Sequence, residues 1–304
     1  MLDYLSLAAV AAVAREGSFE KAAVGLGVTP SAVSQRVKGL EDRLGAILLV
    51  RGAPCRPTEI GARLCAHVEK VRLLEGEVIE GLPGLSTRAA GPTMLRVAVN
   101  ADSVGTWFPK AAVKFANETS GLLDLVLDDE AHTADRLRTG DVLAAVTAEP
   151  VPVVGCKIHP LGQIEYLAVA AAGFVARHCP GGIDGQSLQQ APMLRFDRRD
   201  DLQFRWAREA WGVTISPPTH LIPSTQGMLD MTLAGLGWSM APLVLASPLI
   251  AEGRLVELAP QKRLGVTLYW QRTRLEVQLL DRLTQAVRGV AAELLSRTPS
   301  LEAG

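Results

Sequence analysis

The chain has 304 residues, 48 % of them hydrophobic, enough to bury more than one core, so two or three folded units are expected. A formal net charge of −1 excludes a protein that works by bulk basic attraction to nucleic acid or membrane. Cys55, Cys65, Cys156 and Cys179 lie far apart without a Cys-x-x-Cys spacing, which argues against a zinc ribbon or redox motif; reduced structural thiols, no metal and no cofactor are expected.

Charge is distributed slightly unevenly. Residues 1–58 hold seven Lys or Arg against five Asp or Glu, an excess that taken alone is ordinary surface variation. The apolar stretch Leu7 to Ala14 lacks a basic segment before it and runs directly into Arg15-Glu16, so it reads as a helix facing a core rather than a signal peptide. No run approaches the ~20 apolar residues that span a bilayer. A cytoplasmic location without membrane contact is expected.

From Leu2 to Arg15, the residues Leu2, Leu5, Ala9, Ala12 and Val13 recur at helical spacing, and Gly17-Ser18 closes the segment. A short helix from Phe19 to Leu26, capped by Ser18, ends at Gly27. Thr29 then stands directly before Pro30, a hydroxyl cap followed by a first-turn proline, which predicts a longer helix running to Leu44. A short helix, a tight turn and a longer helix with small polar residues at its start form a helix-turn-helix. On the second helix Ser31, Ser34, Gln35 and Lys38 share one face, while Ala32, Val33, Val37 and Leu40 share the other. The serines suit phosphates or base edges, Gln35 has amide geometry for adenine, and Arg36 and Lys38 suit phosphates or guanine. An amphipathic helix with a solvated polar face has the same pattern. Ile47 to Val50 predicts a short strand, and Arg51 and Arg56 flank a turn in the position of a wing beside the sugar-phosphate backbone.

Thr58 begins a further helix, read as a linker over 59–82. Leu64, Val71 and Val78 repeat every seven residues, and Ile60, His67 and Leu74 form a second offset series, a coiled-coil seam for dimerisation or a helix packed on its own domain. Pro83-Gly84 and Gly91-Pro92 bracket a hinge over 83–92. Beyond it, over 93–304, short apolar strands alternate with helices: strands at Leu95 to Val99, Leu122 to Leu127 and Val142 to Thr147, with helices near Trp107 to Glu118 and Thr133 to Leu137. A second set starts at Tyr166 to Ala170 and includes Met193 to Phe196, Asp201 to Trp211, Leu221 to Pro223 and a helix near Gln226 to Ala234. This order predicts parallel α/β structure.

Open α/β sheets bind ligands outside the carboxyl ends of strands. Asn100, Asp102 and Ser103 follow the first strand, Thr147 ends a later one, and Ser224-Thr225 precedes a helix. Amide groups at those helix starts, with the Ser103 hydroxyl, suit a carboxylate. Asp102 and the cluster Asp128-Asp129-Glu130 suit a cationic group, which needs an opposite charge once removed from water. Trp107 and Trp270 are either pocket walls or plain core.

The stretch GSFEKAAVGLGVTPSAVSQRVKGLE at 17–41, followed by LGAILLVRGAPCRPTEIGARL at 44–64, resembles the DNA-binding end of the LysR-type transcriptional regulators. SAVSQR at 31–36, VRGAPCRPT at 50–58, VNADS at 99–103 and LYWQ at 268–271 extend the likeness over nearly the whole chain, toward the arginine- and lysine-responsive ArgP/LysG branch. The resemblance implies a winged helix-turn-helix over 1–58, the linker helix, and a two-lobed effector domain of periplasmic-binding-protein type. Lobe I would comprise about 93–163 and 266–292, lobe II about 164–265, with two crossover strands between them and the chain returning near Val266 to Trp270. It also implies promoter DNA and a basic amino acid as partners, self-association as dimer or tetramer, and control of an exporter or metabolic gene; it admits RNA polymerase as a further partner. The alternatives are an architectural DNA protein of little sequence specificity, which near-neutral charge disfavours, and an α/β enzyme. Against the enzyme, no Gly-x-Gly-x-x-Gly follows the first strand, and the five histidines show neither metal spacing nor a nucleophile partner.

Overall fold

The computed structural model describes residues 3–80, 93–127 and 133–297. The predicted hinge over 83–92 and the cluster Asp128-Asp129-Glu130 lie outside the described residues.

The N-terminal unit is built from local capping. Helices α1 (Tyr4–Glu16), α2 (Phe19–Leu26) and α3 (Pro30–Leu44) start at Asp3, Ser18 and Thr29, whose side chains accept from Leu5, Lys21 and Ala32 amides. Gly27 closes α2 at φ 63°, a conformation that admits glycine without steric penalty. Leu7, Val10 and Val13 of α1 pack with Ala22, Ala23, Val33, Val37 and Leu40. Leu5, expected on that inner face, is 65 % exposed, because α1 is rotated to bury the Leu7 side. Strands β1 (Leu49–Val50) and β2 (Arg56–Pro57) form an antiparallel hairpin. Ile47, predicted as strand, precedes the pairing and is exposed.

Helix α4 (Glu59–Glu80) leaves this unit from Thr58, whose hydroxyl accepts from Gly61 N–H. The first turn of α4 lies against the Leu48 carbonyl, and a Cβ on Gly61 would stand 2.0 Å from that oxygen. Further along, α4 touches the C-terminal unit: Leu73 is buried in the large core, and the Glu77 carboxylate accepts from Gln278 N–H at 2.9 Å.

That unit continues with β3 (Met94–Val99), α5 (Ala101–Gly105), α6 (Phe108–Glu118), β4 (Leu122–Leu127), α7 (Thr133–Thr139), β5 (Ala144–Thr147) and β6 (Cys156–Ala170). Then come α8 (Ala172–His178), α9 (Gly185–Gln190), β7 (Met193–Arg195), α10 (Leu202–Trp211), β8 (Thr219–Leu221), α11 (Thr225–Leu233), β9 (Ser239–Pro242) and α12 (Leu243–Ala251). The chain closes with β10 (Val256–Glu257), β11 (Leu264–Thr273) and α13 (Gln278–Leu294). Strand β3 pairs in parallel with β4 and β5, and β7 with β8, as the alternating pattern predicts. The predicted strand Leu221 to Pro223 is displaced to Thr219–Leu221, because Ser224 is needed as the cap of α11.

Strand β6 is the largest departure. It begins ten residues before the predicted Tyr166, at Cys156, and pairs antiparallel with β11 as far as Tyr166. From Tyr166 onward it pairs with β9, and at its end with β10. One strand thus passes from the β3-β5 sheet region into the β9 region, with β11 beside it, and these are the two crossovers. Pro160 and Gly162 disguise its first half as loop; Pro160 sits beside the register shift at Leu268/Tyr269, where a missing N–H is tolerated. Helix α13, absent from the sequence reading, covers this sheet with Leu280, Leu283, Val287 and Val290 buried.

The tight fit at Gly61 gives a stability test. Gly61→Ala forces either the wing or α4 to move, and should lower stability by about 3 kcal/mol, the upper end for overpacking. Urea unfolding monitored on the full chain would show it as a lower midpoint in the phase that reports the N-terminal unit.

Candidate functional sites

The N-terminal unit presents a face suited to the major groove. Ser31, Gln35 and Lys38 on α3 are exposed, Ser34 and Arg36 are half-buried beside them, and Thr29 and Pro30 stand exposed at the helix start. Arg51 follows β1, and its guanidinium lies 5.5 Å from the Phe19 ring centroid. Arg56 is exposed on β2. Among the described residues, none of Arg36, Lys38, Arg51 and Arg56 forms an ion pair, whereas the nearby Arg43 lies 3.6 Å from Asp3. These four cations lie on α3 and the wing, where phosphates would meet them. One residue missed from sequence holds the two parts together: Glu41 Oε1 accepts from the Leu48 and Leu49 amides at 2.8 and 3.3 Å, fixing the hairpin against α3.

On α4, Leu74 and Val78 are exposed and Val71 is half-buried, leaving an apolar stripe open. Leu64, assigned to the same seam, instead packs on the core of the N-terminal unit.

The second site lies in the C-terminal unit, in a cavity of about 130 Å³. Asn100 and Phe196 bring the carboxyl ends of β3 and β7 to it, the location that open α/β architecture favours. Asp102 and Thr225 also line it, as do Asp197, Asp200, Asp201 and Arg205 around the start of α10; Met228, Met240 and Leu245 supply apolar wall. Asp102 bridges two other elements there. Its two carboxylate oxygens accept from the Tyr166 hydroxyl and the Thr225 hydroxyl, each at 2.6 Å. Burial pushes the Asp102 carboxyl above its ordinary value, against the downward pull of these two hydrogen bonds, and Asp200 adds a smaller upward push. Asn100 caps no helix amide with its side chain, and among the described residues its buried amide oxygen has no hydrogen-bond partner.

The loop between β7 and α10 is held rigidly by its own groups. Asp200 accepts from the Phe196 and Leu202 amides and from Gln203 Nε2, Asp197 accepts from the Arg199 and Asp200 amides, and Arg195 Nε donates to the Asp200 carbonyl. Sequence reasoning missed this loop and Tyr166. The run Arg195 to Asp201 reads as a solvated charge cluster until the fold carries it opposite Asp102.

Five residues considered for the site lie outside the cavity wall. Ser103 is fully buried and its hydroxyl oxygen accepts from Trp107 Nε1 at 3.0 Å, so both belong to the core one helical turn apart. Thr147 is buried, with its hydroxyl accepting from the Glu149 amide, and Ser224 is engaged in capping α11 through the Gly227 amide. Trp270 is also core, donating to Thr284. The cavity gathers Asn100, Asp102 and Thr225 of the predicted set; Asp129 lies outside the described residues.

Residues 5–62 match the family described as bacterial regulatory helix-turn-helix protein, lysR family, and residues 91–292 match the LysR substrate binding domain. The chain is 42 % identical over 293 residues to the HTH-type transcriptional regulator LysG of Mycobacterium bovis, covering 96 % of this chain and 95 % of that one. It is 42 % identical over 295 residues to the HTH-type transcriptional regulator ArgP of Pseudomonas fluorescens, covering 97 % and 98 %. Among solved structures, ArgP from Mycobacterium tuberculosis superposes with a TM-score of 0.81 at 41 % identity over 98 % of this chain and 100 % of that one. Full-length LysG from Corynebacterium glutamicum with bound effector Arg superposes with a TM-score of 0.70 at 38 % identity, over 97 % and 100 %.

The raised Asp102 pKa makes a signed prediction. A group that holds its proton more tightly when folded makes the native state bind more protons than the unfolded chain between pH 3.8, its ordinary pKa, and its raised value. Stability contributed by this group therefore falls as pH rises through that window. Asp102→Asn keeps the shape without the titration, so its melting temperature relative to the unsubstituted protein should climb as pH is raised from 4, in melts recorded without ligand.

Proposed function

The chain belongs to the LysR family of transcriptional regulators, and from that premise we propose that it reads promoter DNA through α3 and the wing under control of a basic amino acid bound at Asp102. It is a DNA-binding regulator modulated by an effector, and its relatives are regulators rather than enzymes. The observation that carries the effector reading is the cavity wall, which holds four acidic residues, Asp102, Asp197, Asp200 and Asp201, and two arginines, Arg199 and Arg205. A buried carboxylate such as Asp102 is best satisfied by a cationic ligand that also hydrogen-bonds. The relative whose structure holds bound effector Arg supports the same chemistry. For the DNA end, Gln35 and Arg36 supply base-edge geometry, and Ser31, Ser34, Lys38, Arg51 and Arg56 supply phosphate contacts, with Thr29 and Pro30 setting the helix start. Pairing of two chains would use the open stripe of Val71, Leu74 and Val78 on α4.

Two experiments test this reading. Gel shifts on the upstream region of its own gene should show Gln35→Ala with Arg36→Ala losing about tenfold to a hundredfold in affinity, as expected for lost base contacts, with unchanged melting. Occupancy unaffected by the double substitution would exclude the α3 reading. Calorimetric titration should show heat with lysine or arginine that Asp102→Ala abolishes; silence with both amino acids would remove the effector assignment.

A further inference from the structure

The cavity contains polar groups already engaged and polar groups left open, and the open ones form a pattern. Asp197 and Asp200 are occupied by backbone amides, and Arg199 has an interaction of its own. Asp102 is bonded to two hydroxyls, which remain exchangeable partners because a hydroxyl donates weakly compared with an ammonium. Among the described residues, three lining groups have no partner: the Asp201 carboxylate, which makes no capping bond at the start of α10, the Arg205 guanidinium, and the Asn100 amide oxygen. The last is the independent sign of a ligand. Asn100 is only 5 % exposed, and an acceptor so deeply buried without a donor is costly unless something in the cavity supplies one.

Asp201 and Arg205 are four residues apart, hence neighbours on one face of α10, about 5–6 Å apart at Cβ. An anion and a cation held side by side complement a group whose own cation and anion are adjacent, as they are in the head of an α-amino acid. Asp102, by contrast, offers two carboxylate oxygens to whatever binds there. A carboxylate there would meet Asp102 with no cation to offset it, since Ser103 is committed to Trp107 and α5 has five residues. The orientation follows.

We propose that the zwitterionic head of the effector is clamped on α10, its α-carboxylate by Arg205 and its α-ammonium by Asp201, while its side-chain cation is buried against Asp102 and the Asn100 amide oxygen. The apolar wall of Phe196, Met228 and Met240 then runs beside the intervening methylenes. This assignment rests on the basic amino-acid reading and adds its direction. It makes Arg205 a specificity residue for α-amino acids over diamines, and Asp201 one for α-amino acids over ω-amino acids.

The test uses the full-length protein with lysine, cadaverine, which lacks the carboxylate, and 6-aminohexanoate, which lacks the α-ammonium, as titrants. The unsubstituted protein should bind lysine at least about thirtyfold tighter than either analogue, the scale of a lost charge-assisted contact. Arg205→Gln should weaken lysine about thirtyfold, leave cadaverine within about threefold, and so erase the preference between them. Asp201→Asn should erase the preference of lysine over 6-aminohexanoate in the same way. Among the described residues neither side chain has a partner, so both variants should melt like the unsubstituted protein, and Arg205→Lys should restore part of the carboxylate preference. If the protein binds lysine but Arg205→Gln keeps the full preference over cadaverine, the orientation is overturned while the effector reading stands. If the unsubstituted protein binds neither lysine nor arginine, both fall together.

Discussion

Everything in the C-terminal unit is arranged around one buried carboxylate that three separated segments share. Asp102 belongs to α5, Tyr166 to the crossover strand β6, and Thr225 to the first position of α11. Tyr166 stands where β6 exchanges its partner β11 for β9, since it is in register with both Leu264 and Pro242. The two hydrogen bonds therefore tie the parts of the molecule on either side of the cavity to one oxygen pair. Removing a carboxylate from water is unfavourable unless its lone pairs are satisfied, and here the satisfaction comes from residues that a change in cleft geometry would separate. Both hydrogen bonds favour the ionised form of Asp102, while its burial opposes it.

The N-terminal unit follows a different logic, in which almost every feature is local. Its helices carry their caps at the adjacent residue, its core is made of small and medium apolar side chains, and Glu41 spans only seven residues to reach the wing. The core behind α3 therefore draws mostly on residues near in sequence, with Val68 of α4 added. The cavity residues, by contrast, are brought together from across more than a hundred positions.

That contrast explains what could be read in the sequence. Thr29-Pro30, Gly27 and the buried spacing of Val33, Val37 and Leu40 act within one or two helical turns, so α2 and α3 were legible to the residue. Asp102 and Asn100 were also legible, because the end of a strand before a short helix is a position with a known physical use. Asp201, Arg205 and Tyr166 were not. The first two sit in a charge run indistinguishable from solvated surface, and Tyr166 gains its meaning from a strand that Pro160 and Gly162 conceal. Ser103 and Trp107 pair in the core through their spacing of four on helical backbone, which withdraws the Ser103 hydroxyl from the cavity and decides Trp107 as plain core. Helix α13 shows strong amphipathic spacing, yet its first turn depends on a group far away in sequence.

That group, Glu77, has a mechanical implication. Val277 stands at the N-cap of α13 and has no oxygen to offer, so the amide of Gln278 receives its acceptor from α4. A helix start at the surface can exchange such an acceptor for water with a loss of about 1 kcal/mol. Burial of Leu73 beside it contributes about 2 kcal/mol. The joint between α4 and the C-terminal unit thus combines a surface hydrogen bond, one buried leucine and the packing of Ala66 beside Gly140 at the end of α7.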